Sequence, residues 1–394
     1  MPGPLDGIRV VDLTAMVSGP MATAVLADQG ADVIKVEPPG TGDLIRHIGC
    51  SRGELSAIFS TLNRNKRSLV LDLGEPRGLA VLRDLVASAD VFVQNFRPGV
   101  AEQMGIGEAA LRSVAPDLVY VSISGFGETG PYARHRVYDI VIQALSGMAA
   151  SQADPRTGVP ELVRNIVADK ATALVAAQAI TAALFARERG AGGQHVRLSM
   201  LDATIAFLWP DVMQSQTFLG PGATPPASLA GFLSVRPTAD GFMTIFAITD
   251  GEFEGLCRAL GRPELALDER FRDTAGRMRH ADALAGILDE TTRSRTTASW
   301  CERLAAEDVP HAPVNQLETL HEDEQVLANA LLVEMEHPRA GRLRTPRPVA
   351  RFDVTPATLR RPAPSLGEHG VEVLREMGLP ASEIDDLRAK KILG

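Results

Sequence analysis

The residue of this chain best placed to do chemistry is an aspartate at the head of a long helix. Residues 163–189, VRNIVADKATALVAAQAITAALFARER, read as a loop, then Asp169, then an Ala-rich helix that Gly190 closes. Ala171, Ala173, Ala176, Ala177, Ala179, Ala182 and Ala183 are strong helix formers, and glycine is a common stop. Asp169 is expected at the N-cap, where a carboxylate accepts backbone N–H bonds and faces the positive end of the helix dipole. That placement keeps it ionised, which suits a cap alone or a nucleophile as well. A second candidate is Gln94-Asn95-Phe96-Arg97-Pro98-Gly99, which follows a short strand at 91–93. Open α/β sheets bind ligands beyond the carboxyl ends of their strands. Arg97 offers a guanidinium for phosphate there, and Phe96 a ring for adenine or pantetheine.

Other motifs carry less. Gly125-Phe126-Gly127-Glu128-Thr129-Gly130 matches G-x-G-x-x-G after a strand at 118–124, but Pro131 follows at once. Without a helix N-terminus those glycines cannot hold a pyrophosphate, so the segment reads as an active-site loop. The first βα turn, Thr14 to Gly19, has one glycine, which disfavours a dinucleotide site and leaves Glu37 as an expected surface residue. Arg64, Lys66 and Arg67, just before the strand that begins near Ser68, are either a solvated turn or a phosphate contact. The eight histidines show no metal-ligand spacing, and Cys50, Cys257 and Cys301 form no C-x-x-C pair. A net charge of −9 without a basic run argues against a nucleic-acid surface. The longest apolar run, 171–186, is shorter than the ~20 residues a membrane span needs, so no membrane partner is expected. No N-terminal apolar core with a basic flank is present, and a cytoplasmic location is expected.

These groups need elements to hold them. Residues 8–13, 21–29 and 31–37 read as a βαβ unit, which predicts a Rossmann-like, doubly wound parallel sheet in an α/β fold. A helix at 79–88 and strands at 91–93, 118–124 and 194–199 continue it. Residues 220–230, GPGATPPASLA, read as a linker. Beyond it, a strand at 241–249, a helix capped by Asp250, and helices at 281–291 and 298–306 predict a smaller α+β domain. The expected organisation is residues 1–220 as the first part of a large domain, 221–325 as the small one, and 326–394 as a segment returning to the first.

Along nearly its whole length the chain resembles the class III, CaiB–BaiF type CoA-transferases. The resemblance is carried by Leu5-Asp6-Gly7-Ile8 with Gly19-Pro20, Gly30-Ala31-Asp32-Val33-Ile34-Lys35-Val36-Glu37, Asn65-Lys66-Arg67-Ser68 with Leu71-Asp72-Leu73, Asn95-Phe96-Arg97-Pro98-Gly99, Ser124-Gly125-Phe126-Gly127, and Ala363-Pro364-Ser365-Leu366-Gly367-Glu368-His369. Each is short; their joint order and spacing are specific. The resemblance implies a cytoplasmic homodimer whose chains interlock like linked rings. Its substrates would be an acyl-CoA and a small free carboxylic acid, with no permanently bound cofactor. The family's catalytic aspartate falls on Asp169, and the CoA cleft on Val17, Ser18, Leu71, Asp72, Asn95, Phe96, Arg97, Met104 and Tyr138. In the implied chemistry, a covalent aspartyl intermediate splits one slow exchange into paired acyl transfers, and N–H groups of the 125–130 loop are candidate oxyanion donors. The alternative within the fold family is a racemase acting α to a CoA thioester. Those enzymes place a histidine base where this chain has Tyr138, and an ordinary tyrosine is a poor base near neutral pH.

Overall fold

The computed structural model describes residues 1–154, 157–222 and 234–394. The chain divides into two units, Met1–Met213 together with Leu331–Gly394, and Gln214–Ala330. The first unit opens with β1 (Arg9–Leu13), α1 (Ser18–Asp28) and β2 (Asp32–Glu37). Then come β3 (Arg67–Val70), α2 (Pro76–Ala87), β4 (Val91–Gln94), β5 (Val119–Ser124) and α3 (Asp139–Leu145). The long helix α4 (Val167–Ala186), β6 (His195–Ser199) and α5 (Met200–Leu208) follow. The six strands form one parallel sheet in the order β3-β2-β1-β4-β5-β6. This is a doubly wound sheet whose order reverses between β1 and β4, where a crevice opens at the carboxyl ends.

The apolar strand sequences follow from burial on both faces. Successive side chains point to opposite sides. Val10, Val33, Val91 and Val119 therefore meet Ala22 and Leu26 of α1 and Ala173, Ala176, Ala177 and Ile180 of α4. Val11, Ile34, Leu69, Phe92 and Tyr120 meet Val81, Leu82 and Leu85 of α2 on the other side. The alanines matter here, because small side chains let α1 and α4 approach closely. At 20 residues α4 is long and apolar enough to cross a membrane by length and composition, yet the stripe from Ala173 to Leu184 lies in this layer. Its other face leaves Leu174 and Phe185 exposed.

The second unit holds β7 (Val235–Pro237), β8 (Phe242–Ile245), α6 (Asp250–Leu260), α7 (Ala281–Thr292), α8 (Thr297–Ala306) and β9 (His311–Pro313). Its strands pair antiparallel in the order β9-β8-β7. The cap of α6 is Thr249, not Asp250 as expected. Thr249 and Glu252 form a reciprocal capping box that satisfies two backbone donors, and Asp250 becomes the first helical residue. Of the expected linker at 220–230, residues 223–230 lie outside the described residues.

The chain rejoins the first unit as the hairpin β10 (Leu332–His337) and β11 (Gly341–Pro346), then α9 (Gly370–Glu376) and α10 (Ala381–Ala389). Val373, Leu374, Ile384 and Leu387 join the cluster that α2 makes on the sheet. The C-terminal residues thus complete one of the two layers that hold the crevice.

Candidate active site

Asp169 is not the N-cap of α4. The helix starts at Val167, so Ile166 occupies the cap position, where its side chain makes no capping bond, and Asp169 is the third helical residue. The missing acceptor comes from another helix. The Asp139 carboxylate, 4% exposed at the start of α3, accepts the Asp169 backbone N–H at 3.0 Å. Gln143, one turn along α3, holds Asp139 in place by donating to its other oxygen. The same side chain straps down the approach to α4. Gln143 Nε2 donates to the carbonyls of Val163 and Asn165, and Oε1 accepts the Val163 N–H at 2.9 Å. The i,i+4 spacing of Asp139 and Gln143 on one helix face is the signal the sequence offered for this pair.

Two carboxylates this close repel. Burial and the Asp139 charge together push the Asp169 carboxyl up to about 6, while the Ser18 hydroxyl and backbone N–H pull the other way. The helix terminus is therefore not the only influence on Asp169, whose carboxyl burial and Asp139 raise. The group is still roughly nine-tenths ionised at pH 7. Ser18 can act because α1 begins at Ser18, three residues before the expected start, which makes its N–H one of the helix's free donors. The Asp169 carboxylate thus faces the N-terminus of α1 from the first turn of α4.

The start of α1 is fixed from below by buried charge. Lys66, fully buried, donates to Asp12 at 2.9 Å, to the Asn63 side chain at 2.8 Å and to the Pro20 carbonyl in the first turn of α1. Asp12 also accepts from the Thr23 hydroxyl and from the Thr14 backbone. Burial alone would raise the Asp12 carboxyl, but Lys66 and Lys35 outweigh it and hold it far below the usual carboxylate range. Gly19 is required by contact: a Cβ there would meet the Thr14 side chain at 2.4 Å. Between them Met16 takes φ 67°, a left-handed conformation rare for such a residue, pinned as its N–H donates to Asp43.

These bonds correct two expectations. Arg64, Lys66 and Arg67 are neither a solvated turn nor a phosphate site. Arg64 binds Asp28, and Arg67 binds Asp32, Glu372 and Glu376, joining the C-terminal segment to the sheet. Glu37 is not a surface residue. It is buried against Arg46 at 2.7 Å and the Ser68 hydroxyl at 2.8 Å. Isolated buried charges are costly, and each of these is paired and hydrogen-bonded.

Two cavities open at the carboxyl ends of the strands, one on each side of Phe96. The first, about 360 Å³, lies over β1, β2 and β3 and brings together Leu71, Asp72, Phe96 and Met104 with Leu13, Thr14 and Ala15. The second, about 520 Å³, lies over β4, β5 and β6 and takes in Arg97 with Gln94, Ser122, His195 and Arg197. Ser122 Oγ and His195 Nε2 are 2.8 Å apart, and Gln94 donates to the same hydroxyl. Asn95 is turned inward instead: its amide pairs with the backbone of Ala15, N–H to Oδ1 at 2.9 Å and Nδ2–H to the carbonyl at 2.8 Å. That pairing ties the first βα turn to the β4 loop. Val17 is buried in a cluster with Ile45, Leu55 and Phe59. Ser18 meets the Asp169 carboxylate, and Thr14 and Ala15, just before it in the chain, line the first cavity. Tyr138 lines neither cavity and is 60% exposed at the head of α3. In the 125–130 loop the Gly127 N–H is already bonded to Ser124 Oγ, so this donor is not available to an oxyanion.

Comparison with known proteins identifies the family. The profile described as CoA-transferase family III matches residues 5–370. Succinate–glutarate CoA-transferase of Agrobacterium fabrum is 37% identical over 390 residues, covering 95% of this chain and 96% of the relative. Succinyl-CoA:glutarate CoA-transferase of Mus musculus is 34% identical, covering 95% and 86%. Among solved structures, a CAIB/BAIF family protein from Brucella suis aligns with a TM-score of 0.83 at 32% identity, covering 96% of this chain and all of that one. With the doubly wound sheet, the paired cavities and the carboxylate at the helix ends all in one unit, the chain belongs to CoA-transferase family III.

Proposed function

We propose that the protein moves coenzyme A from an acyl-CoA thioester to a free carboxylic acid through a covalent intermediate on Asp169. The observation that carries this reading is the Asp169 carboxylate itself. It is desolvated, raised to about 6 by burial and Asp139, and still met by two donors from Ser18. A carboxylate so placed is ionised at neutral pH and more basic than a solvated one, which favours attack on a thioester carbonyl.

The steps balance as follows. Asp169 attacks the thioester carbonyl, the C–S bond breaks, and CoA leaves as thiolate, giving a mixed anhydride. The thiolate attacks the aspartyl carbonyl, expels the first acid as carboxylate, and forms an aspartyl-CoA thioester. The acceptor carboxylate then attacks that thioester, and the thiolate released attacks the acceptor's carbonyl to regenerate Asp169. Ser18 N–H and Oγ–H are the donors placed to receive the oxyanion at the aspartyl carbon. The first cavity seats the nucleotide end of CoA, and Arg97 across Phe96 meets a phosphate.

Relatives named for succinyl-CoA and glutarate support small dicarboxylic acids as the substrate class. A homodimer, with interlocked chains, fits two features. Ile140, Leu145, Leu174, Phe185, Phe207 and Trp209 expose apolar surface on the first unit. The chain also leaves that unit at Met213 and re-enters at Leu331, as threading requires.

The test is chemical trapping. Incubation with succinyl-CoA followed by hydroxylamine and peptide mapping should mark Asp169. In D₂O a 2-methylacyl-CoA should keep its α-hydrogen. Rapid α-exchange without an adduct at Asp169 would favour the racemase reading, which the exposed Tyr138 does not support.

A further inference from the structure

We propose that Gln143 is the positioning residue of the exchange: its one amide holds Asp139 against Asp169 and anchors the segment that leads into α4. The inference rests on the proposed CoA-transfer function. Gln143 is 1% exposed on α3. Its neighbour Ile142 packs on Ala168 of α4 and Met200 of α5, so its backbone stands on a fixed layer. The segment it reaches has little burial of its own: Glu161, Leu162, Arg164 and Asn165 are exposed.

The neighbours leave the amide one orientation. Oε1 accepts the Val163 N–H at 2.9 Å. Nε2 faces three oxygens, Asp139 Oδ1 at 2.5 Å and the carbonyls of Asn165 at 2.9 Å and Val163 at 3.2 Å. A site that asks for two N–H donors and one acceptor on a single group suits an amide. Glutamate has the same shape but lacks the donors, and when ionised it would set an oxygen against three others. The charged groups around Asp169 are few. Of the helices packed on α4, α3 brings Asp139, the start of α1 brings the Ser18 N–H and hydroxyl without charge, and Asp202 of α5 is exposed. Lys170, beside Asp169, donates to Asn165 Oδ1 at 2.7 Å, and Arg164 is exposed. No cation pairs with Asp139 among the described residues; its carboxylate is met by two N–H groups, the Asp169 backbone and Gln143. Removing the Gln143 donor leaves a buried carboxylate with one bond, which favours its protonated form and takes its charge away from Asp169.

The experiment follows kcat for CoA transfer from succinyl-CoA to glutarate across the pH range. Gln143→Leu should lower kcat at alkaline pH at least about tenfold, because the freed segment misplaces Asp169. It should also move the acid limb down by about half a pH unit or more. In an Asp139→Asn background the same change should leave the limb where Asp139→Asn puts it, because the effect runs through Asp139. Gln143→Glu should keep the acid limb, since its own proton can still bond Asp139. It should add a fall in rate on the alkaline side that the wild type lacks, as that shared proton leaves. An acid limb unmoved by Gln143→Leu, a limb moved equally in both backgrounds, or a wild-type profile in Gln143→Glu overturns the proposal. If Gln143→Leu does not fold, the Gln143→Glu profile decides alone. Absence of transfer by the wild type from succinyl-CoA to any small dicarboxylic acid overturns the CoA-transfer reading and this one together. Transfer with wild-type profiles in both variants overturns this one alone.

Discussion

Replacing Asp169 by asparagine should make the protein more stable at neutral pH while abolishing acyl transfer. Asparagine keeps the shape of a protonated aspartate and removes the charge. In the folded protein the Asp169 carboxyl is raised from 3.8 to about 6, by burial first and by Asp139 second. At about 1.4 kcal/mol per pH unit, a rise of about two units is ~3 kcal/mol by which the folded state disfavours the ionised form. The sign follows from proton uptake. Between pH ~4 and ~6 the folded state binds more protons than the unfolded chain, so wild-type stability falls as the pH rises through that window. Below pH ~4 both states are protonated and the penalty vanishes; above ~6 it is complete. Side-chain capping is not lost with the charge, because Asp169 is the third residue of α4 and Ile166 holds the cap position. Allowing for partial solvent access, Asp169→Asn should gain ~1–3 kcal/mol at pH 7.5. Denaturant unfolding of wild type and variant at pH 7.5 and pH 4 measures both ends of the window. A variant less stable than wild type at pH 7.5, or one stabilised equally at both values, would refute the reasoning.

Three further outcomes follow from the same geometry. The rate of acyl transfer should rise with pH through about 6 and level off above 7, and Asp139→Asn should move that limb to lower pH; a limb unmoved by the variant would remove Asp139 as the cause. Lys66→Met should cost ~3–5 kcal/mol in thermal or denaturant unfolding, since it leaves Asp12 buried without its partner; a loss under 1 kcal/mol would count against the pair. Arg97→Ala should weaken coenzyme A binding about ten- to a hundredfold by calorimetry, the usual worth of a charged hydrogen bond, and an unchanged affinity would take Arg97 out of the site.

The sheet was legible because its strands are continuous apolar runs, and burial on both faces leaves that pattern in the sequence. Asp169 stood out in the sequence from its place at the head of the alanine helix, as a cap or a nucleophile, and the family resemblance favoured the second. Its environment was not legible, because that depends on Asp139, thirty residues away on another helix, and on where α1 begins. The sequence placed the first helix at 21–29, yet it begins at Ser18, with Lys66 bonded to the Pro20 carbonyl inside the first turn. The basic group Arg64, Lys66 and Arg67 was misread for a related reason. Its partners Asp12, Asp28, Asp32, Glu372 and Glu376 are distant in sequence, so nothing local marked these cations as paired. Glu37 was taken for a surface residue because its partners Arg46 and Ser68 lie in a short 3₁₀ turn and on the neighbouring strand. In each case a local pattern gave the element, and a long-range ion pair decided the role.

The raised Asp169 carboxyl also bears on the direction of the proposed exchange. In the mixed anhydride, thiolate can attack either carbonyl. Attack on the aspartyl carbon expels the substrate acid; attack on the substrate carbon expels Asp169 and returns the starting thioester. The better leaving group is the weaker base. A simple aliphatic acid has a pKa near 4.3 on the glutamate scale, whereas Asp169 is held at about 6. The substrate carboxylate is therefore the better leaving group by more than one pH unit, which tips the anhydride toward the aspartyl-CoA thioester. Ser18 adds to the bias, because its N–H and hydroxyl already face the Asp169 carboxyl and can receive the oxyanion formed at that carbon. Asp139 thus has two opposed effects: its carboxylate accepts the N–H that starts α4, and its charge makes the neighbouring nucleophile more basic. An uncharged acceptor at 139 would still hold the helix, but it would lessen the bias, leaving the part that burial supplies.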